Sequence, residues 1–269
     1  MSEHNIWFAF GLTLIAGLST GIGSLIALIA KRTNTKFLCI SLGFSAGVML
    51  YVSFMDLIPI AKEELVSHFD DKIGMLSLLL AFFGGMGLIT LIDFLIPKHN
   101  NPHELQSVEE MRQPDSRMKT LHRMGIVVAL SLVAHNFPEG IATFTTAMTG
   151  GFSVAIPITI AIAIHNIPEG IAVSVPIYHA TGNKRKAFWL SFLSGLAEPF
   201  GALIAWLFLM PFWSPLINGI VMAAVAGIMV YISVDELLPT AEKYGEHHLS
   251  IAGLIAGMLI MALSLFLFI

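Results

Sequence analysis

The chain has 269 residues, of which 56% are apolar and only 12% are charged, with a formal net charge of −4. A soluble domain of this length carries about a quarter charged residues, so the composition excludes an ordinary globular protein and indicates an integral membrane protein. The single cysteine excludes an intrachain disulfide, and no nucleic-acid partner is expected.

Eight apolar stretches are each long enough to cross the hydrocarbon core as a helix, which takes about 20 residues. In chain order they cover 6–30, 37–60, 74–97, 124–148, 153–179, 187–210, 215–238 and 249–269. Helices are favoured over a barrel because the runs are long and lack strict alternation of apolar and polar residues. We therefore predict an all-α integral membrane protein with one transmembrane domain over 1–269.

The basic residues fall between the predicted helices, and their distribution indicates the orientation of the chain. If the N-terminus lies outside, the inner loops contain twelve of the fourteen Lys and Arg residues, and the outer side contains only Lys62 and Lys72. The inner residues are Lys31, Arg32, Lys36, Lys98, Arg112, Arg117, Lys119, Arg123, Lys184, Arg185, Lys186 and Lys243. Cytoplasmic loops carry an excess of Lys and Arg, so both termini are predicted to be extracytoplasmic.

The largest polar segment, 98–123, follows the third predicted helix and contains His99, His103 and His122. We interpret it as a variable cytoplasmic loop between helices 3 and 4. A plain solvated linker is favoured over a metal-capturing segment for this mixed composition.

The first three predicted helices resemble the last three. Gly47-Val-Met-Leu-Tyr-Val-Ser in helix 2 matches Gly227-Ile-Met-Val-Tyr-Ile-Ser in helix 7, and helix 1 aligns with helix 6 so that Thr20 corresponds to Glu198. Because helices 2 and 7 run in opposite directions, the repeat is inverted, in a 3+2+3 arrangement with helices 4 and 5 mapping on each other. Such repeats around a polar midplane site are typical of secondary transporters. Glycine-rich apolar helices also resemble one another by composition, but the shared Tyr, Ser and Pro positions favour a true repeat.

Helices 4 and 5 carry one motif twice, His-Asn-Phe-Pro-Glu-Gly at 135–140 and His-Asn-Ile-Pro-Glu-Gly at 165–170. In each motif the four-residue spacing puts the His and the Glu on one helix face. The four side chains are those of His135, Glu139, His165 and Glu169. If the helices are antiparallel neighbours, these groups converge near the midplane and suit zinc or another divalent first-row metal. Asn136 and Asn166 lie about 100° around the helix and offer amide oxygens for a second, harder site.

Glu198 in the sixth predicted helix is a third acidic residue at membrane depth, with Glu139 and Glu169. No Lys or Arg falls within the eight predicted helices, so the chain supplies no fixed cation to neutralise these carboxylates. An ionised carboxylate without a partner is costly in hydrocarbon, so each must bind a mobile cation or take up a proton. Protonated glutamates that only hold helices together are the alternative, but they would leave the paired histidines superfluous.

Three further acids lie near predicted helix ends, Asp56 at the outer end of helix 2 and Asp235 and Glu236 at the inner end of helix 7. In the repeat, Asp56 and Glu236 are equivalent positions. They are candidate stations at which a cation enters and leaves. Interfacial acids in contact with water explain them equally well.

These motifs, the eight predicted helices and the loop after helix 3 resemble the ZIP family of divalent-metal transporters, and within it a bacterial zinc-uptake branch. The resemblance covers essentially the whole chain. It implies uptake of Zn(II), with Fe(II), Mn(II) and Co(II) as further substrates, into the cytoplasm across the cell (inner) membrane. It also implies a homodimer without a prosthetic group, and an elevator-like motion of the helix 4–5 unit.

The resemblance further implies a binuclear metal centre between helices 4 and 5. The first site would use His135, Glu139, His165 and Glu169. The second would use Asn136, Asn166 and Glu198, with Glu139 and Glu169 bridging the two metals.

A membrane metalloenzyme, such as a hydrolase that uses a metal-bound water, is the alternative to a transporter. It needs an open metal position, a separate base and a substrate cleft, and the sequence contains no HExxH motif. The inverted repeat and the symmetric ligand set favour transport, so we expect a transporter rather than an enzyme.

Overall fold

The computed structural model describes residues 3–29, 35–95, 133, 136–149, 152–244 and 247–267. All regular structure in these ranges is helical and none of it is strand, which confirms the all-α prediction for the described residues. The predicted loop 98–123 and the beginning of the fourth predicted helix lie outside them.

Eight helices follow one another in the described part of the chain. They are α1 (Glu3–Ile29), α2 (Thr35–Val52, Ser53–Leu57 and Ile58–His68), α3 (Asp71–Leu95), α4 (136–149), α5 (Phe152–Thr181), α6 (Lys184–Gly195, Ala197–Ile204, Ala205–Leu209 and Met210–Phe212), α7 (Pro215–Ile232, Ser233–Leu237 and Leu238–Tyr244) and α8 (His247–Leu267). Six of them, all except α4 and α5, are long and apolar enough to cross a membrane. The helix α5 contributes a shorter apolar stretch, Ala155–Ile171, and α4 is described only in part. The protein therefore has six to eight helices able to span a membrane.

Several helices are longer than the apolar runs that predict them. The helix α2 continues to His68 and α7 to Tyr244, well beyond the predicted ends near 60 and 238. The expectation that Lys and Arg fall only in loops is therefore wrong for seven residues. They are Lys36, Lys62, Lys72, Lys184, Arg185, Lys186 and Lys243. Hydropathy marks only the turns inside the hydrocarbon, whereas backbone hydrogen bonding carries a helix on into the polar interface.

The helices α2 and α7 both contain a π-turn at equivalent positions, Ser53–Leu57 and Ser233–Leu237. In each, the first residue beyond the turn donates its N–H to the first carbonyl of the turn. The next residues, Pro59 and Pro239, have no N–H, and a proline ring crowds the carbonyl four residues earlier. The wider turn accommodates that crowding, so the proline favours a π-turn at this point.

Close contacts between helices group them into two bundles, which also share part of one apolar cluster. The first bundle comprises α1, α4, α5 and α6, and the second comprises α2, α3, α7 and α8. Phe144 of α4 is buried in one cluster with Ala9 of α1 and Ala202 of α6. The largest cluster joins the helices of the second bundle and also includes Ala142 of α4 and Ile171 of α5. These last two residues mark the seam where the first bundle packs against the second.

Close helix contacts within the second bundle rely on glycines and follow the internal repeat. A Cβ on Gly47 of α2 would lie 2.0 Å from the carbonyl oxygen of Leu254, and one on Gly227 of α7 would lie 2.0 Å from that of Phe82. Small residues let helix backbones approach in a membrane, where apolar side chains gain little by leaving lipid. The matching glycines of the second and seventh helices thus make equivalent close contacts, each with the backbone of a neighbouring helix.

Gly85→Ala should destabilise the second bundle, because a Cβ there would lie 2.1 Å from the backbone carbonyl oxygen of Ala224 on α7. Overpacking of this kind costs roughly 1–3 kcal/mol, so we expect a lower midpoint in thermal unfolding of the detergent-solubilised protein. Gly84→Ala is the matched control, since nothing lies within 4 Å of a Cβ at that adjacent position. Equal midpoints for the two variants would contradict the close contact between α3 and α7.

Candidate metal centre

A cluster of three potential metal ligands, Glu139 of α4 and His165 and Glu169 of α5, lies in the interior. Each residue offers one ligand atom, and these atoms all lie within 4.8 Å of one another. Nε2 of His165 is 3.1 Å from Oε1 of Glu139 and 3.8 Å from Oε1 of Glu169. Each of the three residues is only 1% exposed, so the cluster is shielded from water.

The ring of His165 is oriented by its own helix. Its Nδ1 lies 3.2 Å from the carbonyl oxygen of Ala161, one turn earlier, and a carbonyl can only accept a hydrogen bond. Nδ1 therefore carries a proton, and Nε2 is the ring nitrogen that faces the two carboxylates. A metal ion bound at Nε2 would require the neutral ring with its proton on Nδ1, and metal-binding histidines commonly donate their other nitrogen to a backbone carbonyl or carboxylate.

The two motif asparagines are fully buried and hold their amides in equivalent ways. Nδ2 of Asn136 donates to the carbonyl oxygen of Ser194 at 3.1 Å, and Nδ2 of Asn166 donates to that of Ala16 at 3.0 Å. Because both partners are acceptors, the amide nitrogens are fixed on the backbones of α6 and α1. Neither Oδ1 atom has a hydrogen-bond partner among the described residues. These two buried oxygens are available as hard ligands.

Glu198 lies beside Asn166 and is fully buried. The helix α6 is interrupted at Leu196, and Pro199 has no N–H for the carbonyl four residues earlier. The amide of Asn166 also donates to Oε1 of Glu198, whereas Oε2 has no hydrogen-bond partner within the described ranges. The structure thus brings together the second-site candidates Asn166 and Glu198.

Two glycines of the motifs let the backbones of α1 and α6 approach the site. A Cβ on Gly140 would lie 2.0 Å from the carbonyl oxygen of Glu198, and one on Gly170 would lie 1.9 Å from that of Thr20. Thr20 corresponds to Glu198 in the sequence repeat, so the two motifs dock on their neighbours in equivalent ways. The two contacts match in their backbones but differ in their side chains, because Glu198 has a carboxylate where Thr20 has a hydroxyl.

Ser45 of α2 is a contact of the site that the motifs do not predict. It is fully buried, and its hydroxyl donates to Oε1 of Glu169 at 2.9 Å. The backbone carbonyls of Ala16 and Ser194 are equally unmarked in the sequence. A serine in an apolar helix is only weak evidence for a functional contact, because its hydroxyl can also donate to a backbone carbonyl of its own helix.

The remaining predicted residues lie apart from this cluster or outside the description. His135 is outside the described residues, so its place at the site stays a prediction. Asp56 lies half-buried in the π-turn of α2, and its Oδ2 has no hydrogen-bond partner in the part of the chain that the structure describes. Asp235 and Glu236 lie in the π-turn of α7, where Asp235 is exposed. As far as the structure describes the chain, none of these three acids joins the buried cluster.

No lysine or arginine is among the buried side chains of the described ranges. Although some basic residues lie within helices, they therefore supply no buried cation to the three carboxylates, as the sequence predicts. The groups that contact Glu139, Glu169 and Glu198 include imidazole, amide and hydroxyl. An amide or a hydroxyl orients a carboxylate without neutralising it, and an imidazole neutralises it only by taking up a proton, which leaves that role to a mobile cation or to protons.

A family model described as ZIP Zinc transporter matches residues 3–265 of the chain. The chain is 59% identical over 269 residues to the zinc transporter ZupT of Streptococcus mutans serotype c, with 100% of each chain covered. It is 57% identical over 279 residues to ZupT of Clostridium perfringens, which covers 99% of this chain and 98% of that protein. It is 52% identical over 276 residues to ZupT of Nitratidesulfovibrio vulgaris, which covers 100% of this chain and 99% of that protein. The family is one of transporters, which sets the metalloenzyme alternative aside, and the chain belongs to it: this is a member of the ZIP family of zinc transporters.

Proposed function

We propose that this chain takes divalent metal ions, chiefly Zn(II), up into the cytoplasm, with Fe(II), Mn(II) and Co(II) as further substrates. The observation that carries the proposal is the buried cluster of Glu139, His165 and Glu169 in a chain of this family. Relatives that match it over nearly their whole length are named zinc transporters. The metal is cargo, and the activity needs no prosthetic group.

The chemistry of the cluster supports a first-row divalent metal. An imidazole nitrogen and carboxylate oxygens are ligands that Zn(II) and its neighbours accept, and three protein ligands leave a position for water or for a further ligand such as His135. Because the cluster is buried, an ion that binds there must exchange its water for these ligands. Release then requires a change in access from one side of the membrane to the other.

A second metal position beside the first is part of the proposal. It would use Asn136, Asn166 and Glu198, with Glu139 and Glu169 bridging the two metals. The buried oxygens of the two amides, and Oε2 of Glu198, support it, since none has a hydrogen-bond partner among the described residues. Amide and carboxylate oxygens form a harder ligand set than the first position has.

The proposed arrangement is eight membrane-spanning helices in a 3+2+3 inverted repeat, with both termini extracytoplasmic. The matched π-turns and glycine contacts of α2 and α7 support the repeat, and the excess of basic residues in the predicted inner loops supports the orientation. The family resemblance supports a homodimer in the cell membrane.

The moving unit is proposed to be the whole first bundle rather than helices 4 and 5 alone. The motif asparagines donate to the backbones of α1 and α6, and the motif glycines lie against the same two helices. A shift of α4 and α5 by themselves would break these buried hydrogen bonds, and each acceptor left unpaired costs roughly 1–3 kcal/mol. Carrying α1 and α6 along preserves them.

Asp56 is proposed as the station at which the ion enters, and Asp235 with Glu236 as the station at which it leaves. The half-buried position of Asp56 in a π-turn supports this role, because such turns are frequent at functional sites. The equivalent turn of α7 contains the other two acids.

Loss of the cluster should abolish uptake. In proteoliposomes with a radioactive zinc tracer, His165→Ala and Glu139→Ala should reduce the initial uptake rate by roughly ten-fold or more, since each removes a direct metal ligand. His248→Ala is the control, because that histidine is exposed at the start of α8 and is not a member of the buried cluster. Wild-type rates for both cluster variants would overturn the proposed function, provided that the protein in the vesicles is folded and equally abundant.

Glu198→Gln should remove the second metal position and leave the first. We expect two zinc ions per wild-type chain and one per variant chain, measured by equilibrium dialysis with metal analysis. Glutamine keeps the size of the side chain, so the helix contacts around Gly140 should persist. Equal stoichiometry in the two proteins would argue against the second position.

Zinc binding should release protons and weaken as the pH falls. The histidine must be neutral and the carboxylates ionised to bind metal, so protons compete with zinc for the same atoms. Zinc added to weakly buffered protein should acidify the solution, and the apparent zinc affinity should fall between pH 7.5 and 5.5. An affinity independent of pH over this range would contradict the ligand set.

A further inference from the structure

The hydrogen bond from Ser45 to Glu169 crosses the seam between the two bundles. Ser45 belongs to α2 of the second bundle, and Glu169 belongs to α5 of the first. The donor and acceptor are 2.9 Å apart, and both residues are buried. The close backbone contacts of the described glycines, by contrast, each pair two helices of the same bundle. A metal-ligand candidate of one bundle is therefore held by a side chain of the other.

The Ser45 hydroxyl differs from several other buried hydroxyls of the described residues in its acceptor. Ser233 and Thr159 each donate to a carbonyl of their own helix, four residues earlier. Ser24 and Ser191 donate across helices, but to the carbonyl of Gly170 within the first bundle. Ser45 instead donates to a carboxylate of the other bundle. In the sequence repeat the position of Ser45 corresponds to Val225, which is also buried but has no hydroxyl. The contact therefore exists on one side of the repeat only, as the Glu198 carboxylate does.

The hydroxyl of Ser45 donates to the Glu169 oxygen that faces His165. Oε1 of Glu169 accepts from Ser45 and is also the oxygen that faces Nε2 of His165, at 3.8 Å. A carboxylate oxygen has two lone pairs, so it can accept from a hydroxyl and coordinate a metal at once. Hydrogen bonds to an ionised acceptor are stronger than neutral ones, and more so in a buried site of low dielectric. The Ser45 hydroxyl therefore holds the Glu169 carboxylate in its orientation towards the histidine.

We propose that Ser45 is a positioning residue for Glu169 and sets the metal affinity of the state in which the two bundles are aligned as in this structure. The inference rests on the proposed transport function. Partners that orient a metal ligand change metal affinity by about 10–100-fold. When the first bundle moves along α2, Glu169 leaves the hydroxyl behind, its carboxylate loses that orientation, and the site binds its ion less tightly. Movement of the bundles is thereby coupled to release.

The test compares Ser45→Ala, Ser45→Thr and Ser41→Ala with the full-length wild type. Ser41 lies one turn earlier on α2 and is also buried, so its alanine variant controls for loss of a buried hydroxyl from the same helix. Zinc affinity is measured in detergent by competition with a fluorescent chelator, and Co(II) is bound to record its visible absorption spectrum. We expect Ser45→Ala to weaken zinc binding about ten-fold and to shift the cobalt spectrum, whereas Ser45→Thr and Ser41→Ala keep both near wild type.

Transport kinetics distinguish a role of Ser45 in positioning Glu169 from a role in stabilising the fold. In proteoliposomes Ser45→Ala should raise the KM for zinc while the maximal rate stays the same or rises, because release is not slowed. A structural role would lower the maximal rate and the thermal midpoint without a change in KM or in the cobalt spectrum.

Wild-type zinc affinity and cobalt spectrum in Ser45→Ala would overturn the proposal, as would equal losses in Ser45→Ala and Ser41→Ala. Ser45→Thr that binds zinc as weakly as Ser45→Ala would also overturn it, because the hydroxyl would then not be the cause. If the wild type binds zinc but transports none, the proposed function fails, and the affinity comparison still decides the role of Ser45.

Discussion

The burial of three carboxylates away from water is the constraint on which the rest of this structure depends. Glu139, Glu169 and Glu198 are almost completely buried, and no lysine or arginine is among the buried side chains of the described ranges. Taking an ionised carboxylate out of water is expensive unless a charge or several hydrogen bonds compensate. Their neighbours among the described residues include an imidazole, an amide and a hydroxyl, of which only the imidazole can carry a positive charge, and only when it takes up a proton. A mobile cation, or protons in its absence, completes the site, and this is why the site suits a protein whose substrate is a metal ion.

The helix backbones position the polar groups of the site. A carbonyl of its own helix holds the ring of His165, and carbonyls of α1 and α6 hold the amides of Asn136 and Asn166. Each of these bonds uses an N–H donor and directs a lone pair of the same side chain elsewhere. Backbone carbonyls inside a packed bundle move little, so the side chains that donate to them keep their orientation. The motif glycines make this possible, because they bring the α1 and α6 backbones within reach.

The two bundles differ in what they contribute. The first bundle contains the ligand candidates and is held together by buried hydrogen bonds and close backbone contacts, which favours its behaviour as one body. The second bundle is closed by a large apolar cluster and contributes a hydroxyl to the site at Ser45. The sequence match between the two halves fails at two positions of the site, where Glu198 aligns with Thr20 and Ser45 aligns with Val225. A transporter must bind its ion firmly in one position and release it in another, and the proposed movement of the first bundle past Ser45 would provide that difference.

Apolar run length and helical period carry most of what can be predicted from the sequence. The run lengths predict the helices, and the spacing of four residues places His165 and Glu169 on one face, because contacts within a helix follow from its period. The helix ends were misplaced, since hydropathy does not record where backbone hydrogen bonding stops, and so the basic residues at those ends were assigned to loops. The role of Ser45 and of the carbonyls of Ala16 and Ser194 could not be predicted, because contacts between helices depend on their crossing and register. The sequence by itself determined which stretches are apolar enough to span a membrane and that their acidic residues have no lysine or arginine within the same stretches. The tertiary structure alone decided which neighbours orient them, since that depends on how the helices pack.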